Sequence, residues 1–274
     1  YDKEISLQHE AAIKQLAKQF NKKIIIVYFS DVADEIKINN SIIFRTSLNK
    51  SAGRTNEMAM PVIKNNLSLA QNNYAEYIEW NEKPAIGFRG IAAPEKFNKL
   101  TRTLRNEANL LANRFNMDDI FNLKKNFGYL ERRNAVRILQ RNKNIETDFT
   151  ITGDKEADDS HSRNLFIDTV FKNPYTLCVS GFGNYSYRFY ETLSAGRIPV
   201  FIDTDCKLPF EEFINWKKHV VWVDRKNIYC IDKILLDFHQ QHKNDFKALQ
   251  RSNKEFWEEF LSPQQYFVNI KAYL

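Results

Sequence analysis

The sequence predicts an α/β fold built on parallel β-sheets. Residues Tyr175–Asp224 parse as strand, glycine-containing turn, helix, strand, helix, strand, because short apolar runs alternate with segments of helical spacing. Two further apolar runs, Lys23–Phe29 and Ser41–Ser47, predict strands near the start of the chain. Strands that alternate with helices form parallel sheets, and ligands bind such sheets in the crevice at the carboxyl ends of the strands.

The first third of the chain carries the pattern of a small α/β unit. Apolar spacing over Leu7–Phe20 predicts an amphipathic helix. The unbroken apolar run Lys23–Phe29 predicts a fully buried strand, and Ser41–Ser47 predicts a second strand. The polar, asparagine-rich segment Asn65–Trp80 predicts a loop or a weak helix. Proline and polar residues at Asn81–Pro84 then mark the boundary of this unit.

The remaining residues predict a second, larger unit. The elements before the turn region are a strand at Ala85–Phe88, helices at Glu95–Asn113 and Asn134–Asn142, a strand at Phe149–Thr152 and a helix at His161–Phe171. The turn region supplies a strand at Tyr175–Val179, a helix at Ser186–Ala195 and strands at Ile198–Ile202 and Val220–Val223, with a helix between these last two. Helices at Ile231–Phe238 and Phe246–Phe260 follow. We expect domains at residues 1–82 and 83–254, and a C-terminal helix at residues 255–274 that packs back on the first domain.

Charge and cysteine content restrict the class of protein. The 40 basic and 34 acidic residues give a net charge of +6, and both signs are mixed along the 274 residues, so a nucleic-acid partner is not expected. Cys178 and Cys230 follow apolar residues and are expected to be buried. The three cysteines include no CxxC pair and form no ligand cluster with the histidines, so we expect no zinc site.

The expected location is the cytoplasm, at most peripheral to the inner face of a membrane. The odd cysteine count favours a reducing compartment. A glycosylation sequon at Asn184 lies inside the turn region, where a glycan would block the crevice. The chain starts at Tyr1, so loss of an upstream anchor would instead fit the Golgi lumen.

Three runs of the turn region resemble the exostosin glycosyltransferase signature: Tyr187–Glu191 (YRFYE), Leu193–Val200 (LSAGRIPV) and Leu208–Trp216 (LPFEEFINW). Gly87–Gly90 and the aromatic stretch Phe256–Phe260 agree more weakly. The chain departs from the family pattern at Arg197, where a small residue or cysteine is usual. It also departs at Gly181-Phe182-Gly183, where proline, glycine and basic residues are common, and this loop bears on donor identity.

The resemblance implies a GT-B fold, in which two Rossmann-like halves face each other across a cleft, here with a small N-terminal half. It also implies an inverting, metal-independent glycosyltransferase that moves a sugar from a nucleotide sugar, expected to be a UDP-sugar, to a glycan or glycolipid acceptor of a surface polysaccharide. No cofactor is expected. The alternative is an inactive binding subunit that works with a partner glycosyltransferase. A phosphoryl or nucleotidyl transferase is disfavoured, because the chain has no GxxxxGK[ST] loop.

Arg188 and Glu191 are the main candidates for donor binding. A guanidinium offers a permanently charged, bidentate fork for phosphate oxygens. Arg188 falls in the first turn of the predicted helix, where backbone N–H groups and the helix dipole also favour an anion. Glu191, one turn later, is expected to accept hydrogen bonds from ribose hydroxyls. The alternative for both residues is an i,i+3 ion pair, worth about 0.2–0.5 kcal/mol.

Further donor-side candidates surround these two residues. Asn184 and Ser186 precede the helix and are expected to cap it, which is compatible with presenting N–H groups to phosphate. Gly181 lies in the turn itself. Arg89 ends a strand at the predicted crevice, and Arg105 lies on the next helix. Both arginines match basic positions of the family loosely.

The catalytic base is expected in the N-terminal half, on the acceptor side. Glu57 is the first choice because it follows a basic loop, and Asp31, at the end of the Lys23–Phe29 strand, is the alternative. Arg45 and Arg54 belong to that basic loop and are candidates for binding an acidic acceptor, although a solvated loop fits equally well.

The Asp203-Thr-Asp205 triplet has the spacing of a metal-binding DxD motif. It follows the strand Ile198–Ile202 within the signature, so we interpret it as a strand-end turn and expect no metal there.

Overall fold

The computed structural model describes residues 3–20, 23–62, 66–92, 127–152 and 160–273. The predicted helix Glu95–Asn113, and Arg105 with it, lies outside the described residues. The chain divides into two compact units. Unit 1 contains residues 1–61, 183–185 and 205–214, and unit 2 contains residues 62–182, 186–204 and 215–274. Two segments from within the turn region therefore belong to the unit formed by the N-terminal residues, and the first division falls at Pro61 instead of residue 82.

Unit 1 is built on a three-stranded parallel sheet. Helix α1 (Lys3–Phe20) precedes strand β1 (Ile24–Tyr28), which is followed by β2 (Ser41–Arg45) and β3 (Glu57–Ala59). The strand order is β1-β2-β3, with Ile24 opposite Ser41 and Ile43 opposite Glu57. The central strand β2 is buried along its whole length, which places the core of this unit around Ile43 and Phe44.

Strand β1 corrects one expectation from the sequence. Its apolar run was expected to be fully buried, but β1 alternates between half-buried and exposed positions, and Ile25 and Val27 are exposed. The physical reason is position: β1 lies at one edge of the sheet and only one of its faces is covered by described residues. An apolar run does not distinguish a central strand from an edge strand.

Unit 2 is built on a five-stranded parallel sheet. Its strands are β4 (Ala85–Gly90), β5 (Glu146–Ile151), β6 (Tyr175–Cys178), β7 (Ile198–Asp203) and β8 (Val221–Asp224). Its described α-helices are α2 (Phe127–Arg141), α3 (Ser160–Lys172), α4 (Tyr187–Ser194), α5 (Ile231–Gln241), α6 (Phe246–Phe256) and α7 (Pro263–Asn269). The strand order is β5-β4-β6-β7-β8. The predicted α/β class with parallel sheets is confirmed.

The order of the strands locates the crevice of unit 2. Counted within the unit, it is 2-1-3-4-5, the doubly wound order in which the direction of winding reverses between the first and third strands. These are β4 and β6, which pair with Ile86 opposite Tyr175. Ligands of doubly wound sheets bind outside the carboxyl ends of the strands at such a switch point. The apolar core lies beneath it, formed by buried residues of the strands and the helices: Ile86, Phe88, Leu139, Leu177, Val200, Val223 and Leu235.

Two local expectations differ from the structure. The helix expected between β7 and β8 is absent from that described segment, where turns and a short 3-10 helix at Trp216–Lys218 stand instead. Pro209 and a φ of 54° at Phe210 prevent regular helix there. Cys230 is exposed, because it ends a surface 3-10 helix, while Cys178 is buried as expected. Among the described residues, no helix is long and apolar enough to cross a membrane.

Candidate functional site

The switch point of unit 2 brings together the ends of two strands and the start of a helix. Strand β4 ends at Gly90 and β6 at Cys178, and α4 begins at Tyr187 after the turn that follows β6. Two arginine side chains reach this point, one from α4 and one from α2. They form the arginine cluster of unit 2, which consists of Arg132 and Arg188.

Arg188 extends from the first turn of α4 to the end of β4. Its Nη2 donates a hydrogen bond to the Arg89 carbonyl oxygen at 2.9 Å, and its guanidinium carbon lies 5.1 Å from the centre of the Phe88 ring. Its Nε is shielded from solvent and has no acceptor among the described residues. Burial lowers the pKa of the guanidinium. The Nε donor is therefore unused within the described part of the chain, at the sheet edge where doubly wound folds bind ligands.

Gly90 leaves the space that Arg188 needs. A Cβ at this position would collide with Arg188 Nη2, and the φ of Gly90 is 152°. A side chain here would displace the guanidinium from the end of β4. Gly90, the last residue of the Gly87–Gly90 segment that weakly matches the family, therefore leaves room for the Arg188 guanidinium.

Arg132 is the second member of the cluster, and it was not among the residues predicted from the sequence. It lies on α2, is only 5% exposed, and donates hydrogen bonds to backbone oxygens at the ends of β4 and β6: Ile91 and Ser180 at 3.0 Å and Val179 at 3.4 Å. No described carboxylate pairs with it. Burial, and secondly the charge of Arg188, lowers the pKa of Arg132 to about 9. The missed signal is helical spacing, since Arg132 shares the apolar face of α2 with Ala135 and Leu139.

Glu191 lies on the same helix as Arg188 but pairs with a different arginine. Its carboxylate is buried, and Oε1 lies 2.8 Å from Nη1 of Arg163 on α3. Arg188 makes no ion pair with a described residue, so the i,i+3 pair that was the alternative interpretation is not formed. Glu191 is therefore a buried carboxylate with one partly exposed cation, and its expected role towards a ribose stays a prediction.

Of the smaller donor-side candidates, only some lie near the cluster. Ser186 is at the N-cap position of α4, but its Oγ makes no cap hydrogen bond, and this buried oxygen has no partner among the described residues. Gly181 follows Ser180, whose carbonyl oxygen accepts from Arg132. Arg89 is half-buried in β4 and contributes its carbonyl oxygen to Arg188.

Asn184 belongs to unit 1, and its expected capping role is corrected. Its backbone N–H donates to Ser47 Oγ at 3.0 Å, and its Nδ2 donates to Asn49 Oδ1 at 2.6 Å. These hydrogen bonds hold the segment 183–185 on the unit 1 sheet. The sequence could not indicate this, because Ser47 and Asn49 are far away along the chain.

The acidic and basic candidates of unit 1 form a buried salt-bridge cluster, which consists of Arg45, Arg54 and Glu57. Glu57 is 1% exposed, and its Oε2 lies 2.6 Å from Arg45 Nη1 and 3.0 Å from Arg54 Nη1. Its Oε1 accepts from the backbone N–H of Ile36 at 3.3 Å. Both carboxylate oxygens are thus engaged, an arrangement that suits a structural group better than a catalytic base.

The basic loop expected at Arg45 and Arg54 is corrected in part. Arg45 lies in β2 and is fully buried, with Nη1 also donating to the Asp34 carbonyl oxygen at 2.8 Å. A side chain in this position is out of reach of an acceptor. The Arg54 side chain remains 18% exposed.

The acidic candidates Asp31 and Asp205 each accept a hydrogen bond within unit 1. Asp31 is exposed after the end of β1 and accepts a hydrogen bond from Tyr185 Oη at 2.6 Å. Asp205, with a φ of 70°, accepts from the backbone N–H of Ser51 at 3.1 Å within unit 1. No group of three or more metal-binding side chains occurs in the part of the chain that the structure describes.

A doubly wound parallel sheet with two arginines at its switch point defines an α/β protein with a candidate anion site in unit 2. The chain belongs to the exostosin GT47 family, because the model of the Exostosin GT47 domain matches residues 44–238. It is thus a member of a glycosyltransferase family, and each of its two units carries the parallel α/β sheet that the resemblance implies for a half of a GT-B fold.

Named relatives match over short segments. The chain is 32% identical over 75 residues to Exostosin-1 of Drosophila melanogaster, which is 27% of this chain and 10% of that protein. It is 41% identical over 61 residues to a probable glucuronosyltransferase 47 A of Physcomitrium patens, covering 22% of this chain and 14% of the relative. The matches therefore span far less than the length of these relatives. The alignment with the solved structure of TarM covers 96% of this chain and 57% of the TarM chain, at 12% identity and a TM-score of 0.35.

Proposed function

We propose that this protein is an inverting, metal-independent glycosyltransferase that transfers a sugar from a nucleotide sugar, in the first instance a UDP-sugar, to a glycan or glycolipid acceptor of a surface polysaccharide. The observation that carries the proposal is the arginine cluster of Arg132 and Arg188 at the switch point of unit 2. Two cations side by side, one buried and one half-buried, neither in an ion pair with a described carboxylate, favour binding of an anion. Family membership supports a sugar nucleotide as its source.

The chemistry that the cluster would perform is stabilisation of the leaving diphosphate. When the bond between the anomeric carbon and the diphosphate oxygen breaks, negative charge grows on that oxygen. Arg188 has an unused Nε donor within the described part of the chain, and a guanidinium engages two phosphate oxygens at once. The N-terminus of α4 adds the positive end of the helix dipole. In this proposal, these fixed charges take the place that a divalent cation has in metal-dependent transferases.

The base is assigned by accessibility. A general base must lie within hydrogen-bond reach of the acceptor hydroxyl. Asp31 is exposed and one of its carboxylate oxygens accepts from Tyr185 Oη, whereas Glu57 is enclosed by two arginines and a backbone amide. We therefore rank Asp31 ahead of Glu57, which reverses the order expected from the sequence. Glu191 retains its proposed role towards the ribose, with Arg163 holding the carboxylate in position.

The first test is a thermal-shift screen with UDP-, GDP-, CMP- and CDP-sugars, followed by donor hydrolysis and transfer measured with and without EDTA. We expect one nucleotide class to raise the melting temperature and turnover to persist in EDTA. Activity that disappears in EDTA and returns only with Mn²⁺ or Mg²⁺ would contradict the metal-independent mechanism. Stabilisation by a nucleotide without turnover on any acceptor would instead favour an inactive binding subunit.

A further inference from the structure

A pair of aromatic side chains, Tyr129 and Phe182, lies beside the arginine cluster in unit 2. Tyr129 is in the first turn of α2, three residues before Arg132, and Phe182 follows β6 in the turn before residue 183. Their ring centres are 5.8 Å apart with an angle of 70° between the ring planes. The guanidinium carbon of Arg132 lies 5.4 Å from the centre of the Tyr129 ring. The cations and the aromatic rings thus form one continuous row.

The row changes from buried and charged to exposed and aromatic along its length. Arg132 is 5% exposed, Tyr129 is half-buried, and Phe182 is 57% exposed. Phe182 meets Tyr129 in an edge-to-face arrangement that leaves more than half of its side chain exposed. A phenylalanine on a glycine-flanked turn contributes little to the core in this position. A nucleoside diphosphate, however, binds through its phosphates and through its planar base, and a flat apolar ring next to an anion site offers a surface for the base.

We propose that Phe182 stacks against the nucleobase of the donor, with Tyr129 supporting its ring from the edge. This inference rests on the proposed function, because it extends the diphosphate site by the ring that the same ligand carries. A nucleoside diphosphate has its charge at one end and a planar base at the other, and the row from Arg188 to Phe182 has the same sequence of properties. Stacking uses the π-face of the base, which every nucleobase has, so Phe182 provides affinity for the base and not a choice among bases.

The test compares binding of a ligand that has a base with one that lacks it. Dissociation constants for UDP and for inorganic pyrophosphate are measured by calorimetry on the intact chain, with GDP and CDP in place of UDP if either binds more tightly. The variants are Phe182→Ala, Phe182→Leu and Phe182→Tyr. The matched control is Phe267→Ala, since Phe267 is also exposed, at 42%, and meets Tyr266 edge to face at 5.6 Å on α7.

We expect Phe182→Ala to weaken nucleotide binding by about tenfold, the loss typical of one base–aromatic stack, and to leave pyrophosphate binding unchanged. Phe182→Leu should lose most of this affinity because it is apolar but not planar, and Phe182→Tyr should keep it. Phe267→Ala should bind both ligands like the unmodified protein. These four results together support the proposal.

Two outcomes would overturn it, and they differ from failure of the proposed function. Unchanged nucleotide affinity in Phe182→Ala shows that no base stacks there, while the glycosyltransferase assignment stands. An equal loss of nucleotide and pyrophosphate affinity shows that Phe182 acts through the shape of the turn and not through stacking. If the unmodified protein binds no nucleotide and no pyrophosphate, the proposed function itself is wrong, and the role of Phe182 falls with it.

Discussion

In unit 1, the buried Glu57 carboxylate is held between Arg45 and Arg54. In unit 2, Arg132 and Arg188 lie side by side with only backbone oxygens as described hydrogen-bond acceptors. Both groups are buried charges on parallel sheets. The first contains its own counterion and needs nothing more, so it serves the fold. The second makes no ion pair with a described residue, and this difference is what indicates a candidate ligand site.

Another buried arginine, Arg197, shows that backbone oxygens alone can hold both terminal nitrogens of such a side chain, although its Nε has no acceptor among the described residues. Arg197 is fully buried and donates to the carbonyl oxygens of Ala75, Glu76 and Phe171 at 2.8–3.0 Å and of Ala195 at 3.2 Å. Burial lowers its pKa to about 10. Arg188, by contrast, has one such acceptor within the described part of the chain. The number of backbone acceptors therefore separates Arg197 from Arg188, while Arg132, with three such acceptors, is held in place much as Arg197 is.

The largest expected effect concerns the salt-bridge cluster of unit 1. Glu57→Gln removes the carboxylate that pairs with Arg45 and Arg54, and breaking a buried ion pair in this way costs about 3–5 kcal/mol. Urea unfolding followed by circular dichroism should show this loss, and the double variant Arg45→Met with Glu57→Leu should recover part of it. A Glu57→Gln protein of normal stability with no turnover would instead restore Glu57 as the catalytic base.

The next effect concerns the arginine cluster of unit 2. Arg188→Ala should lower kcat by a factor of about 10² to 10³, the loss expected when one preorganised charge stabiliser is removed. Arg188→Lys should recover little, because an ammonium cannot make the bidentate contact.

The stability of Arg188→Ala provides its control. Urea unfolding without ligand should show little loss, since no ion pair with a described residue is broken. A folded Arg188→Ala protein with normal transfer rates would show that the difference between the two clusters does not identify the ligand site.

A smaller effect is expected on UDP affinity, and it should differ between substitutions of Glu191 and of its ion-pair partner Arg163. If Glu191 accepts hydrogen bonds from the ribose, Glu191→Gln should weaken UDP binding by about tenfold, the value of one charged hydrogen bond, with little change in kcat. Arg163→Gln keeps the carboxylate and should weaken binding much less. Calorimetric titration of both variants with UDP and with pyrophosphate tests this. Equal effects of the two substitutions would reduce Glu191 to a structural ion pair.

The smallest effect is the pH dependence of the free energy of unfolding, which we expect to depend on two histidines. Burial lowers the pKa of His239, which hydrogen-bonds Tyr175 and the Asn81 carbonyl oxygen, and of His219, which contacts Asn253. The unfolded chain takes up protons as the pH falls below about 6.5, while the folded protein resists them, so the free energy of unfolding should decrease below that pH.

Urea unfolding between pH 8 and pH 5 measures this trend. The stability should be level above about pH 7, where both states carry neutral histidines. A stability that rises as the pH falls from 7 to 5 would contradict the lowered pKa values. Comparison with His219→Gln separates the contribution of that half-buried residue from that of His239.

The local elements of the fold could be predicted well, and their environment less so. The strands β2, β4 and β7 and the helices α3 and α4 lie within a few residues of their predicted bounds, because alternation and helical spacing are local properties. Arg188 at the start of α4 followed from this directly. The exposure of β1 and the missing helix after β7 did not, since one depends on which strand is at the edge and the other on backbone geometry at Phe210.

What the sequence by itself determined is therefore the parallel α/β class, the family and the helix that carries Arg188 and Glu191. What only the tertiary structure decided is which charges meet. The carbonyl oxygens that hold Arg132 come from the ends of β4 and β6, strands that are distant along the chain and adjacent in the sheet. Glu57 is enclosed by Arg45 because β2 pairs with β3, and Glu191 meets Arg163 because α3 lies beside α4. Periodicity reports the local conformation of a segment, but compensation of a buried charge depends on contacts between segments, and those contacts decide whether a charge supports the fold or binds a ligand.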